Sequence, residues 1–219
     1  MTAPGVPAPG MAAPTANAIP TAVIFDLDGV IRDWNDEAMS EVESTHGLEP
    51  GTILSVAFGP VLGVAAMTGR IEYRTWMDTI RQTVLAEHGH GAAGALDEWE
   101  ANVGLVDTPM LEVLRSVRRH STVALLSNGT TRLRRDLRVL DLTDEFDVIF
   151  NTAELGVAKP DPDVFLHVLG ELDVTADDAL FIDDLHVNVA GAASVGLRAH
   201  VHTDRVSTIG FLRSCGLPI

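Results

Sequence analysis

The sequence predicts an α/β fold, a doubly wound parallel sheet with a small helical unit inserted after its first strand. Three observations carry this expectation. Short apolar runs rich in β-branched residues alternate with amphipathic helical patterns, as in a parallel sheet covered on both faces. Each run stops abruptly in polar residues, Asp-Leu-Asp-Gly after the first and Ser-Asn-Gly after the second. Roughly a hundred positions separate Asp28 from Ser127, where a crossover between parallel strands needs only about a dozen.

In chain order, residues 1–20 hold five Pro and six Ala and no charged residue. They read as a disordered tail, since a secretory leader would show a basic region followed by an apolar one. Thr21–Asp26 (TAVIFD) is a buried strand feeding a turn, and Thr122–Ser127, Val148–Asn151, Ala179–Asp183 and Arg198–His202 are the further strands. Thr108 and Pro109 read as the N-cap and first residue of a helix to about Arg119, with Met110, Leu111, Leu114 and Val117 on one face. Helical patterns over Thr130–Leu140, Asp163–Glu171, Asn188–Val195 and Arg205–Cys215 complete the core, assigned to residues 21–32 and 105–219. Residues 33–104 are helical in pattern, most clearly over Glu72–His88, and form the insertion. Its charge-free stretch from Pro50 to Gly69 is long enough to raise the question of a membrane span, but Gly51, Gly59, Pro60 and Gly63 interrupt it. Two short buried helices are the better reading.

The formal net charge is −16, which argues against nucleic acid or an anionic membrane as partner, because both reward clustered positive charge. The single cysteine, Cys215, cannot form an internal disulfide, and a cytoplasmic, reducing setting fits that count. His88-Gly89-His90 has no third ligand at a useful spacing and reads as a surface loop. Arg32, Arg70 and Arg74, near or within the insertion, and His186, just after the fourth strand, are secondary candidates whose default is exposure.

In an open parallel sheet, ligands bind beyond the carboxyl ends of the strands. Strand one ends in Asp26-Leu27-Asp28-Gly29, strand two in Ser127-Asn128-Gly129, the loop after strand three reaches Lys159, and strand four ends in Asp183-Asp184. Asp-Gly makes turns, Ser-Asn-Gly makes loops and Asp-Asp ends solvated strands, so each alone has a structural explanation. Together they deliver several carboxylates, a hydroxyl and one ammonium to a single edge.

The ordered set DLDGV, LLSNGT, AKPDP and FIDD resembles the four motifs of the haloacid dehalogenase-like hydrolases, over about residues 21–202. The helical insertion resembles the cap of the helical-cap subclass. FIDD followed by Asn188 is similar to the branch that holds sugar-phosphate phosphatases. The resemblance implies a Rossmann-like core and a phosphatase acting on a small phosphorylated metabolite, a sugar phosphate or similar, as a monomer or homodimer. It implies Asp26 as nucleophile through an aspartyl-phosphate and Asp28 as general acid/base. Mg²⁺ would be held by Asp26, the Asp28 backbone carbonyl, Asp183 and Asp184. Gly29, Ser127, Asn128 and Lys159 would serve the phosphoryl group. The chemistry agrees: a carboxylate attacking a dianionic ester meets repulsion of about 1 kcal/mol per charge pair in water and about 4 at a dielectric near 20, which a hard divalent cation and a lysine relieve. Pro160 favours extended backbone at Lys159, and Asp161-Pro162 makes a helix start, so stiff chain flanks the ammonium. A 2-haloacid dehalogenase, a phosphomutase and a non-catalytic binding protein are the alternatives, and Asp28 speaks against the first.

A chain truncated to begin at Ile19 is expected to keep the melting temperature and hydrolytic rate of the full sequence. Thermal melts and initial rates on both forms check this, and a drop of several degrees would show that the tail docks.

Overall fold

The computed structural model describes residues 19–219; the expectation for residues 1–20 falls almost wholly outside them. The elements run β1 (Ala22–Phe25), β2 (Arg32–Asp33), α1 (Asp36–Thr45), α2 (Thr52–Ala57), α3 (Leu62–Met67), α4 (Tyr73–His88), α5 (Ala93–Ala101), β3 (Leu105–Val106), α6 (Thr108–Arg118), β4 (Thr122–Ser127), α7 (Leu133–Val139), β5 (Val148–Asn151), α8 (Thr152–Leu155), α9 (Pro162–Leu172), β6 (Ala179–Asp183), α10 (His186–Ser194), β7 (Arg198–Val201) and α11 (Arg205–Ser214).

Five strands form one parallel sheet in the order β5-β4-β1-β6-β7. The central strand carries no charge from Ala22 to Phe25 because both of its faces are covered. Val23 and Phe25 pack with Met110, Leu114, Leu125 and Leu212 on one side, while Ala22 and Ile24 pack with Val164, Phe165 and Phe181 on the other. The chain leaves β1 toward β4 and later returns to its opposite flank with β6, so the strand order reverses between β1 and β6. That crevice, beyond the carboxyl ends of the two strands, is where this class of sheet places ligands.

The insertion has its own core, in which Ile53, Ala57, Trp76, Ile80, Val84 and Leu96 are buried together. It is joined to the sheet by a two-stranded antiparallel ribbon, β2 with β3, which the sequence does not announce because two-residue strands are too short to show alternation. The Pro50–Gly69 stretch does form two short helices, but they are buried on one side only. Ile53, Ala57 and Ala66 pack inward while Leu54, Phe58, Val61 and Val64 stay exposed. No helix among the described residues is long and apolar enough to cross a membrane. The N-cap of α6 is Asp107, whose carboxylate accepts from Met110 N at 2.8 Å, and not Thr108, which is already helical. The helix expected from Thr130 starts at Leu133, because Thr130–Arg132 turn first and Leu133 N reaches back to Thr130 O.

Insertion and core meet at two places. Arg132 donates to the Tyr73 hydroxyl and to the carbonyls of Glu100 (2.9 Å) and Asn102 (3.1 Å). On the far side, Thr152 Oγ1 donates to Met67 O at 2.8 Å. Beside this contact Gly69, at φ +65°, lies so close to the core that a Cβ would fall 2.0 Å from Ala153 O. Gly156, at φ +81°, has open space around it.

Gly156→Ala is therefore expected to lose about 1–2 kcal/mol, from the left-handed backbone alone. Gly69→Ala should lose more, because the added methyl also prises the insertion from the core. Urea denaturation of both variants measures the difference; equal losses would show that the Gly69 contact is not load-sharing.

Candidate active site

At the carboxyl end of β1, Asp26 N donates to Ile182 O at 2.8 Å, locking the residue against β6. Its Oδ1 accepts from Leu27 N at 2.7 Å and from Lys159 Nζ at 2.8 Å. Lys159 Nζ also reaches Asp183 Oδ2 at 2.7 Å. The lysine is delivered by a loop that Asn128 ties down on both sides, its amide donating to Lys159 O and its Oδ1 accepting from Lys159 N, each at 2.9 Å. Asp161 then caps α9 ahead of Pro162 as expected, and the Lys159–Pro160 peptide is cis. Asp183 is fully buried and accepts from Leu185 N (2.8 Å) and from the Asn188 amide (3.0 and 3.1 Å).

Asp26, Asp183 and Asp184 each offer a carboxylate oxygen, and the three oxygens lie within 4.8 Å of one another. Ligand oxygens around a Mg²⁺ at 2.0–2.1 Å stand about 3–4 Å apart, so the set fits a hard divalent cation. Asp183 accepts four hydrogen bonds from three donors, the Asn188 amide being shared between its two oxygens. The backbone carbonyl of Asp28 accepts no hydrogen bond among the described residues, which suits the role expected of it. Electrostatics point the same way. Burial, then the Asp183 and Asp28 charges, push the Asp26 carboxyl up to about 8 against the pull of Lys159. For Lys159, burial lowers the affinity for its proton, but Asp26 and Asp183 outweigh it and hold the ammonium above its ordinary range. Burial, then Asp183, also raises Asp184. One ammonium does not neutralise this much negative charge, and a divalent cation would.

Gly29, at φ +74°, leaves no space for a side chain: a Cβ there would lie 2.5 Å from Asp184 Oδ2. Ser127 is fully buried at the end of β4, and its hydroxyl has no hydrogen-bond partner among the described residues. Asp28 is not turned toward Lys159. Its Oδ1 accepts from Arg32 Nε and Trp34 Nε1, both at 2.7 Å, and its Oδ2 from Arg32 Nη2 at 3.1 Å. A cavity of about 670 Å³ lies between this edge and the insertion, lined by Asp26, Asp28, Gly29, Asn128, Lys159 and Asp184 on the core side.

Every residue singled out at the four strand ends is thus brought to one edge. The secondary candidates divide. Arg32 is buried and bound to Asp28, while Arg70, Arg74 and His186 are exposed and do not line the cavity. Sequence reasoning missed Trp34 and the buried pair Arg132–Asp136 (2.9 Å). The four-residue spacing of that pair on one helix was a readable signal, but its grip on the insertion was not.

A family model described as haloacid dehalogenase-like hydrolase matches residues 20–196. The chain belongs to the haloacid dehalogenase-like hydrolases. Two relatives illustrate the neighbourhood within this family. A Mycobacterium tuberculosis protein named as a phosphatase is 30% identical over 83% of this chain and 86% of its own. A sesquiterpene phosphatase of Aspergillus oryzae is 28% identical over 88% of this chain and 94% of its own. In fold, the chain is similar to a family enzyme of Bacteroides thetaiotaomicron solved with magnesium and inorganic phosphate, with a TM-score of 0.70, 20% identity and coverage of 86% of this chain and 98% of that one. This haloacid dehalogenase-like chain is an enzyme, a hydrolase.

A cation entering between the three carboxylates must displace the proton that Asp26 retains below a pH of about 8 in the metal-free protein. The apparent Mg²⁺ affinity should therefore rise with pH, by up to about tenfold per unit below 8, and level off above it. Calorimetric titration across this range, in buffers of different ionisation heat, measures affinity and proton release together. A flat profile without proton release would place the metal elsewhere.

Proposed function

We propose that this hydrolase is a Mg²⁺-dependent phosphomonoesterase acting on a small phosphorylated metabolite. The observation that carries the reading is the meeting of Asp26, Asp183 and Asp184 within 4.8 Å, with Lys159 bridging the first two, at the floor of a cavity. The phosphatase relatives support it. Bound Mg²⁺ would supply the charge that lets a carboxylate approach a phosphate dianion.

Asp26 is the nucleophile; its oxygen forms the bond to phosphorus as the ester oxygen leaves, giving an aspartyl-phosphate. Lys159, fixed by Asn128, would together with the bound cation hold Asp26 ionised, and it offers its remaining N–H to a phosphoryl oxygen. The Ser127 hydroxyl, without a partner among the described residues, supplies a further hydrogen bond to that group. Asp28 protonates the departing alcohol and then takes the proton from the water that hydrolyses the intermediate. Asp28 Oδ1 keeps Arg32 Nε and Trp34 Nε1, and Oδ2, which holds a single longer bond from Arg32 Nη2 at 3.1 Å, is the oxygen left to meet the leaving group. A 2-haloacid dehalogenase needs no such residue, because a halide leaves without a proton.

Asp28→Ala is expected to lower kcat for phosphate esters by about 10²–10⁴-fold with Mg²⁺ binding largely kept, since only its backbone carbonyl is a ligand. Asp26→Asn should lose more, and chelator should abolish turnover until Mg²⁺ is restored. Steady-state kinetics on the three samples decide the matter. Undiminished turnover in Asp28→Ala, or full activity in excess chelator, would overturn the assignment.

A further inference from the structure

We propose that the alcohol released by this enzyme is uncharged and predominantly apolar, seated against an aromatic wall built by the insertion. The inference rests on the phosphomonoesterase reading and narrows its substrate class, replacing the sugar phosphate expected from the sequence.

Aromatic residues make up only 5% of the chain, with three Trp and a single Tyr. All four, Trp34, Tyr73, Trp76 and Trp99, line the one cavity that holds Asp26 and Asp28. Trp76 is the hub, with ring centroids of Phe58, Tyr73 and Trp99 at 5.5, 5.8 and 5.6 Å. Leu54 and Phe58 extend this wall toward the opening and remain 49% and 46% exposed. Apolar surface held against a cavity beside a reactive carboxylate gains free energy only when something apolar covers it.

The polar groups of the wall are turned to internal work. Trp34 Nε1 donates to Asp28 and Trp76 Nε1 to Ala57 O, so neither indole offers a free donor, and Trp76, 3% exposed, backs the wall from the insertion's core. Glu43 accepts from Gly51 N and Ile53 N. Asn102 donates to Trp34 O and accepts from Gly104 N. Ser40 donates to Asp36 O. A polyhydroxylated leaving group needs several uncommitted donors and acceptors to replace its water, and this wall offers few.

Charge weighs against an anionic leaving group, and occupied ring faces against a cationic one. Three cations line the cavity, and each is engaged: Lys159 by Asp26 and Asp183, Arg32 by Asp28, and Arg132 by Asp136. Each is thus already ion-paired; the donor left over, Arg32 Nη1, is buried beside Asp136, and Asp33, Asp36 and Glu43 on the insertion side would repel a carboxylate or second phosphate on the leaving group. The same carboxylates would attract a cationic leaving group, but the aromatic faces it would also want are partly taken, with Arg32 4.1 Å over Trp34 and Arg132 4.5 Å over Tyr73.

The test compares esters of primary alcohols of similar leaving-group basicity: n-octyl phosphate and 2-phenylethyl phosphate against glucose 6-phosphate, phosphoglycolate and phosphocholine, on the full chain with Mg²⁺. The apolar esters should have kcat/KM at least about tenfold higher. Phe58→Ala and Leu54→Gln, at half-exposed positions, should each lower kcat/KM for n-octyl phosphate by about tenfold more than for glycerol 3-phosphate, with thermal melts checking that the fold is kept. A preference for the sugar, the carboxylate or the choline ester, or equal losses on all esters in the variants, would overturn the proposal and leave the phosphatase reading standing. Binding to Asp26→Asn, followed by calorimetry, separates the two ideas. Preferential binding of n-octyl phosphate without wild-type hydrolysis would sink the phosphatase reading and keep the pocket assignment. Absence of any preference in binding would sink the pocket assignment itself.

Discussion

One lysine ammonium, 2.8 Å from Asp26 and 2.7 Å from Asp183, holds together the edge of the sheet on which the rest of the site depends. All three side chains are almost wholly withdrawn from water. Burying such charges is unfavourable unless each is paired and hydrogen-bonded, and removing one partner from a buried pair typically destabilises by about 3–5 kcal/mol. The surrounding structure reads as the means of keeping that arrangement satisfied. Asn128 clamps the lysine backbone, Asn188 and Leu185 N take up Asp183, and Leu27 N takes up Asp26. Even so, the Asp26 carboxyl stays raised, by burial first and then by the charges of Asp183 and Asp28, against the pull of Lys159.

The strand order explains why these groups meet. β1 lies at the centre of the sheet with β4 on one flank and β6 on the other, so residues at their carboxyl ends become neighbours although they are about a hundred and fifty positions apart in the chain. The insertion closes over the same edge. It is steadied by Arg132, which spans from Asp136 to Tyr73 and to the carbonyls of Glu100 and Asn102. Arg32 lies beside this pair, 3.9 Å from Asp136, and binds Asp28. A continuous run of buried charge therefore joins the foot of the insertion to the second aspartate of the first motif. The sheet edge provides carboxylates and ammonium, and across the cavity from them the insertion places Trp34, Tyr73, Trp76 and Trp99.

The sequence by itself determined the sheet, the insertion and the residues at the strand ends. Apolar runs such as AVIF and ALFID, short and bounded by turn residues, read as buried parallel strands, and the polar residues that stop them then stand at the carboxyl edge. Such information is local, written in hydrophobic period and in Gly and Pro placement. What depended on contacts distant in sequence was not legible. The β2–β3 ribbon is too short to show a pattern, Arg32 looked like any hinge arginine, and the lining of the cavity gathers Trp34, Leu54, Tyr73 and Trp99 from four separate segments. Whether an aromatic side chain fills a core or walls a cavity is set by what packs on its other face. No periodicity records that, and only the tertiary structure decided it.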